Sequence, residues 1–340
     1  MHKILIIQTA FIGDVVLATA VLEKLHQHYP HAAIDILVRK GNEALFQEHP
    51  YLHQVLIWQK KEAKYKNLFR LLQTIRATKY DVVVNLQRYA ATGLLTAFSN
   101  ATIKIGFDKN PLSFLFTQKI THVFSNPNGK ILHETERNQL LIESLTDATA
   151  AKPALYPTKA DYAMVKPMQT KPYICIAPAS VWFTKQFPVN KWIELLKQLP
   201  TEYNIYLLGA PTDTALCNTI AEAKTHPNIT VLAGKLSFLQ SAALQQQAMI
   251  NYVNDSAPMH FASSVNAPVT AIYCSTLPSF GYGPLSTQSF IVESSTPLAC
   301  RPCGVHGKTT CPQGHFNCAN NITNTQLLYV LPQLHPNPNL

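Results

Sequence analysis

The chain is short of acid, glycine and long apolar runs, and each shortage restricts what it can be. Of 340 residues, 19 are Asp or Glu against 28 Lys or Arg, giving a net charge of +9. Charged residues make up only 14% of the chain, so the few charges present favour anionic partners: nucleotides, phosphorylated glycans or an anionic membrane surface. No basic stripe interleaved with aromatics occurs, and no nucleic-acid partner is expected. No apolar stretch nears the ~20 residues of a spanning helix. The N-terminal run Met1–Ile7 turns polar at Gln8 and Thr9, too early for the apolar core of a signal peptide. A cytoplasmic protein is the expectation. Seven cysteines, an odd count, fit reduced thiols better than a disulfide scaffold. The three-glycine fingerprint G-x-G-x-x-G is missing, and so is the Walker A loop, which argues against a dinucleotide oxidoreductase and a P-loop enzyme. No D-x-D triplet offers ligands for a metal on a diphosphate.

What is present is an alternation of short apolar runs and amphipathic segments. Ile4–Ile7, Ile34–Val38, Val55–Ile57, Val82–Asn85 and Ile103–Ile105 read as buried strands, with helical periodicity over Val15–His28, Tyr65–Thr78 and Ala90–Ser99. The pattern restarts with strands Tyr173–Ala177, Asn204–Leu208, Ile229–Val231, Met249–Val253 and Val269–Tyr273. Helices near Asn190–Gln198, Asp213–Ala223 and Phe238–Gln247 separate them. Strands alternating with helices predict parallel sheets covered on both faces. Between the halves, a stretch with Pro153, Pro157, Pro167 and Pro172 has no clear period and reads as a linker. The organisation expected is α/β, with two Rossmann-like domains facing each other across a cleft. The first spans 1–155, the linker 156–172 and the second 173–322, with a closing helix (Asn324–Leu334) and tail over 323–340.

In open α/β sheets, ligands bind beyond the carboxyl ends of strands, which directs attention to three loops. Thr9-Ala10-Phe11-Ile12-Gly13-Asp14 joins the first strand to the first helix. Asp14 there is either a helix cap or a general base that the helix N-terminus keeps ionised at neutral pH. Pro178–Pro188 follows the first strand of the second half and carries Ser180, Thr184 and Lys185. These suit a diphosphate gaining charge, although a polar loop with a solvated lysine would look the same. Asn190 is the expected cap of the helix that follows. Asn254-Asp255-Ser256-Ala257-Pro258 leads from a strand into a helix, where Ser256 and free backbone N–H groups suit phosphate or ribose hydroxyls. Pro258 fits the first turn. His260, one turn on, is either part of that site or a buried structural histidine.

Two further features stay open. Cys300-x2-Cys303-x7-Cys311-x6-Cys318, with His306 and His315 inside it, has zinc-knuckle spacing only in its first pair, so zinc competes with packed reduced thiols. Lys60, Lys61, Lys64, Lys66, Arg70 and Arg76, with Lys104 and Lys109, form a basic stretch that is either a solvated face or a contact for an anionic acceptor or membrane.

Taken in order, these pieces resemble the lipopolysaccharide heptosyltransferases, glycosyltransferase family 9. The resemblance is carried by Gly13-Asp14, the segment Asp81–Arg88 and His133-Glu134-x-x-Arg137-Asn138. In the second half it rests on Ala177-Pro178-x-Ser180, Lys185-x-x-Pro188, Leu208-Gly209-Ala210, Ala233-Gly234-Lys235 and Asn254-Asp255-Ser256. Cys300-Arg301-Pro302-Cys303 and Cys311-Pro312-x-Gly314-His315 complete it, and the likeness spans nearly the whole chain. It implies a GT-B fold and an inverting transferase that requires no cofactor or metal, using an ADP-heptose donor and a Kdo-bearing lipid A or heptosylated acceptor at the cytoplasmic face of the inner membrane. By similarity Asp14 is the base. Ser180, Thr184 and Lys185 bind the diphosphate, Asp255, Ser256, Ala257 and His260 the donor sugar and phosphates, and Asp213 the adenosine ribose. Thr9, Gly13, Lys60, Lys61, Lys64 and Arg88 line the acceptor side. This chain departs from the family pattern at Ala10 and Phe11, where relatives often carry hydroxyl residues, and at Ala257, where they tend to carry glycine. Another sugar-nucleotide enzyme (an epimerase or hydrolase) on the same plan, or a non-catalytic zinc- and anion-binding module, are the alternatives.

Overall fold

The computed structural model describes residues 2–331, which cluster into two compact units, Met1–Tyr156 and Pro157–Leu340 as bounded along the whole chain. The first is built on β1 (Lys3–Ile7), whose Ile4, Leu5, Ile6 and Ile7 are fully buried. A strand apolar on both faces has to be covered on both faces, and here it lies at the centre of a sheet. After it come α1 (Ile12–His28), β2 (Ala33–Arg39), β3 (Leu52–Trp58), α2 (Lys64–Thr78), β4 (Val82–Asn85), α3 (Ala90–Ala97), β5 (Ile103–Phe107), β6 (Gln118–Ile120) and α4 (Glu134–Ile142). All pairings are parallel, in the order β3-β2-β1-β4-β5-β6. Helices α2 and α3 cover one face, where Leu68, Leu71, Leu72, Ile75 and Leu95 pack on Leu5, Ile7, Leu37 and Val83.

The second unit opens with α5 (Lys159–Val165), then runs β7 (Tyr173–Ala177), α6 (Val189–Leu196), β8 (Asn204–Leu207), α7 (Thr214–Glu222), β9 (Ile229–Val231), α8 (Phe238–Gln246), β10 (Ile250–Asn254), α9 (Ala257–Ser264), β11 (Val269–Tyr273), β12 (Ser289–Glu293), α10 (Asn317–Asn320) and α11 (Asn324–Leu328). Its sheet, also parallel, has the order β12-β11-β10-β7-β8-β9. Counted within its own unit, each sheet therefore repeats one doubly wound order, 3-2-1-4-5-6. The reversal of winding falls between β1 and β4 in the first unit and between β7 and β10 in the second. A crevice opens at the carboxyl end of such a pair of strands because their crossovers leave in opposite directions. The core of the second unit packs Trp192 edge-on to Phe187, with ring centroids 5.1 Å apart.

Four details differ from the sequence reading. The stretch read as a linker over 156–172 contains α5, which packs on α8. Thr158 and Asp161 close a capping box there: the Asp161 amide donates to Thr158 Oγ1 (3.1 Å), and the Thr158 amide to Asp161 Oδ2 (2.8 Å). Its prolines flank the helix, which masked the period. Asn190 does not cap α6; Pro188 holds that position and Asn190 lies inside the first turn. Strands β6 and β12, which the sequence reading does not include, are short edge strands of three and five residues with most side chains only partly buried. The closing helix is described as α11, Asn324–Leu328, anchored where Tyr252 Oη donates to the Leu327 carbonyl at 3.0 Å; residues 332–334 of the expected span lie outside the described residues. No helix among the described residues is long and apolar enough to cross a membrane.

Candidate active site

In the first unit the site grows from the loop between β1 and α1. Phe11 is the N-cap of α1, with extended backbone and no side-chain cap, so Asp14 lies in the first helical turn rather than capping it. Burial, and secondarily the charge of Glu134, pushes the Asp14 carboxyl up to about 6. Backbone hydrogen bonds at Phe11 and Asp14 and the charge of Arg39 pull the other way without balancing it. Desolvation outweighs the backbone hydrogen bonds and Arg39, and a carboxyl titrating at about 6 is mostly ionised at neutral pH. A carboxylate with that pKa is a stronger base than a solvated one yet remains available at neutral pH.

Cations crowd the same loop. The Lys60 ammonium donates to the Thr9 carbonyl at 2.7 Å and sits 4.7 Å from the Trp58 ring centroid. Burial, then the charges of Arg39 and Lys64, pulls its pKa down to about 8. The Arg39 guanidinium lies 4.9 Å from the Phe11 ring centroid. Thr9 is fully buried, and its hydroxyl donates to Gln87 Oε1 at 2.6 Å, which ties the end of β1 to the segment after β4. Thr9 thus presents its carbonyl to Lys60 and spends its hydroxyl inside the fold. Gly13 is the second helical residue and partly buried. Lys61, Lys64 and Arg88 are exposed, and Arg88 joins Arg137 in holding His122 down at about 4, behind the larger effect of burial. Glu134 Oε2, the second influence on Asp14, accepts from Arg137 Nε at 2.9 Å and Nη2 at 2.7 Å. Arg39, Gln87 and Glu134 were not singled out as site residues in the sequence. Arg39 had a readable signal, being a charge at the carboxyl end of a buried strand; Gln87 and Glu134 depend on tertiary placement.

In the second unit the two loops singled out by sequence flank the β7/β10 switch point and bond to each other. Asn254 stitches them: its Oδ1 accepts from the Phe187 amide at 2.9 Å and its Nδ2 donates to the Pro178 carbonyl at 2.8 Å. Beyond it Lys185 Nζ meets Asp255 Oδ2 at 2.6 Å, with both side chains largely buried. Thr276 Oγ1 donates to that same oxygen at 2.7 Å. Ser256 is the N-cap of α9 with extended backbone; its side chain makes no capping bond and lies 3.4 Å from the Asn254 carbonyl. In the first turn of α9 the Ala257 amide is not capped by the Ser256 side chain, Pro258 has no N–H, and the Met259 amide donates to the Ser256 carbonyl at 3.1 Å. His260 is buried one turn on. Ser180 is partly exposed and its carbonyl accepts from Gln186 Nε2 at 2.7 Å.

Two members of the predicted set are occupied elsewhere. Thr184 is 1% exposed and its hydroxyl accepts from Ser275 Oγ (2.9 Å) and the Lys308 amide (2.8 Å). Asp213 closes its own turn, its Oδ2 accepting from the Ala210 amide at 2.8 Å against Gly209, where a Cβ would stand 2.8 Å from Asp213 Cβ. The Cys-rich segment holds free thiols: Cys300 Sγ approaches His315 Nε2 at 3.9 Å, Cys303 Sγ faces the Cys300 carbonyl at 3.7 Å, and Cys318 is buried in α10. Among the described residues no group of three or more His, Cys, Asp or Glu side chains is arranged to hold a metal.

Comparison with known proteins agrees with this architecture. Residues 68–312 match the model of glycosyltransferase family 9 (heptosyltransferase). Lipopolysaccharide heptosyltransferase 3 of Escherichia coli is 29% identical over 280 residues, 78% of this chain and 82% of that protein. Among solved structures, the glycosyl transferase family 9 protein of Veillonella parvula superposes with a TM-score of 0.83 at 19% identity, over 98% of this chain and 97% of that one. The E. coli ADP-heptose LPS heptosyltransferase II gives 0.78 at 21% identity, covering 98% of both chains. At those identities the structures show the shared GT-B fold, and the family match extends over more than half of the sequence. The chain belongs to glycosyltransferase family 9, the heptosyltransferases.

Proposed function

We propose that this glycosyltransferase moves heptose from ADP-heptose to the inner core of lipopolysaccharide, onto Kdo-lipid A or a heptose already attached to it, with inversion and without a metal. The observation that carries the reading is the Lys185–Asp255 pair at the switch point of the second unit, beside the N-terminus of α9. An ammonium fixed by a buried carboxylate next to the positive end of a helix is a ready site for a diphosphate. The relative solved from E. coli is named for ADP-heptose, which supports that donor here. The base comes from the first unit. Asp14 takes the proton of the acceptor hydroxyl as its oxygen bonds to the anomeric carbon, and the bond from that carbon to the ADP oxygen breaks. The sugar passes through an oxocarbenium-like state, and Lys185 with the N-terminus of α9 takes up the charge appearing on departing ADP. Arg39, within electrostatic reach of Asp14, and Lys60, bonded to the Thr9 carbonyl, suit an anionic acceptor. Isothermal titration with ADP, UDP, GDP and NAD, with and without magnesium, tests the donor half. Selective ADP binding that ignores magnesium is expected; preference for UDP or GDP would overturn the donor, and a magnesium requirement would overturn the metal-free mechanism.

A lipid-anchored acceptor also calls for contact with a membrane, and α2 supplies a suitable face. Its Leu68, Leu71, Leu72 and Ile75 face the sheet, while Tyr65 and Phe69, one turn apart, stand 78% and 61% exposed. Lys66 and Arg70 follow each aromatic by one position, and α2 carries no acidic residue. Exposed aromatics beside cations on one helix suit the headgroup region of an anionic bilayer. Replacing Tyr65 and Phe69 together by Ser is expected to weaken co-sedimentation with phosphatidylglycerol vesicles about tenfold, leaving turnover on a deacylated, water-soluble acceptor unchanged. Undiminished vesicle binding would remove α2 from this role.

A further inference from the structure

The Cys-rich segment is the motif that the reaction above leaves unused, and its bonds lead to the donor loop. We propose that residues 301–308 form a strap that positions Lys185, with Thr184 and Gly307 as positioning residues; this rests on the reading of Lys185 as a ligand of the donor diphosphate.

The strap is joined to the donor loop along its length. The Thr184 amide donates to the Lys308 carbonyl at 3.1 Å, and the Lys308 amide returns a bond to Thr184 Oγ1 at 2.8 Å. Ser275 Oγ donates to the same hydroxyl at 2.9 Å, while the Ser275 carbonyl accepts from the Cys303 amide at 3.0 Å. One residue further, Thr276 holds Asp255 through its hydroxyl and accepts from Arg301 Nη2 through its carbonyl at 2.7 Å. Arg301 is itself fixed by Glu293 Oε2 at 2.6 Å. Both members of the Lys185–Asp255 pair are thus anchored to the strap, Lys185 through its chain neighbour and Asp255 through Thr276.

Gly307 accounts for the direction of the lysine stem. Its φ is +78°, and a Cβ built there would stand 2.9 Å from Lys185 Cγ, 3.3 Å from Cδ and 3.1 Å from Thr184 Oγ1. The stem lies flat on the strap backbone at a distance only glycine permits. Lysine otherwise has several rotatable bonds to immobilise when it engages a phosphate. A stem already packed along the strap, with its ammonium already placed by Asp255, has lost most of that freedom before the donor arrives. The hydroxyl of Thr184, expected from sequence to touch the diphosphate, instead fixes the loop that presents its neighbour.

A double-mutant cycle read by ADP titration tests this. Thr184→Val is expected to weaken ADP binding about tenfold, as loss of a buried hydrogen-bonded hydroxyl implies, and Thr184→Ser to restore it to within about twofold. In a Lys185→Ala background Thr184→Val is expected to add almost nothing, because its effect passes through the lysine. Gly307→Ala is a second route, its Cβ pressing on the Lys185 stem and on Thr184 Oγ1; it should weaken ADP binding and do so markedly less without Lys185, a strain of the left-handed backbone remaining in both backgrounds, and it carries the test if the valine variant does not fold. An equal loss with and without Lys185 would overturn the proposal by showing that Thr184 acts on the ligand directly. Unchanged ADP affinity in both single variants, with Lys185→Ala still damaging, would overturn the strap alone. Unchanged affinity in Lys185→Ala would remove the lysine from the donor site and the strap's role with it.

Discussion

Asp14→Asn is expected to lower turnover by a factor of about 10²–10⁴, the usual contribution of a positioned general base, while ADP affinity and fold are retained. The burial that pushes the Asp14 carboxyl up to about 6 gives the prediction two further readouts. The base works deprotonated, so kcat/KM should fall about tenfold per pH unit below that value, and the limb should vanish in the Asn variant. Stability moves in the opposite direction. A carboxyl whose folded pKa exceeds its unfolded one favours the native state when protonated, so its unfavourable contribution is present at neutral pH. It fades as pH falls through about 6 toward the unfolded value near 3.8. Replacing the carboxylate by an amide removes that contribution at pH 7, so the melting temperature should hold or rise. A variant that loses activity and also melts earlier would mark Asp14 as structural, and one with near-normal turnover would take it out of the mechanism.

The second large effect concerns Lys185 and Asp255. Lys185→Ala is expected to weaken ADP binding about 10–100-fold, since it removes a charge-assisted contact and leaves Asp255 facing the diphosphate as an uncompensated anion. Asp255→Ala should act on the fold as well. Side-chain exposures of 14% for Lys185 and 9% for Asp255 place the pair where water compensates poorly. Removing one partner from such a pair typically costs ~3–5 kcal/mol, and partial solvation here moves the expectation to roughly 2–3 kcal/mol. Urea unfolding checks this, and the double variant Lys185→Ala/Asp255→Ala should be less destabilised than the sum of the two single changes. Additive losses would mean that the two groups act independently despite their contact.

Strands with both faces buried were readable to within two residues at most ends, because a continuous Val/Ile/Leu run such as Val82–Asn85 has few other uses. The edge strands β6 and β12 are half exposed, and the one apolar run in them, Phe290–Val292, spans three residues. Helix α5 was hidden among prolines that in fact flank it. In the sites, strand–loop–helix junctions pointed to Asp14, Lys185 and Asp255, since the carboxyl ends of parallel strands are where such sheets bind. Local sequence could not show that Thr9 and Thr184 turn their hydroxyls inward, or that Asp213 completes its own turn.

By itself the sequence determined the α/β class, the family and the loops in which chemistry-bearing residues stand, because periodicity and residue order are local properties. The tertiary structure decided which of those residues meet. It joined Lys185 to Asp255 across the β7/β10 switch point, placed Glu134 and Arg39 within electrostatic reach of Asp14, and laid the Cys-rich segment against the lysine stem. Those relations depend on strand order and on how much water each group loses, and both are properties of the folded chain rather than of any stretch of it.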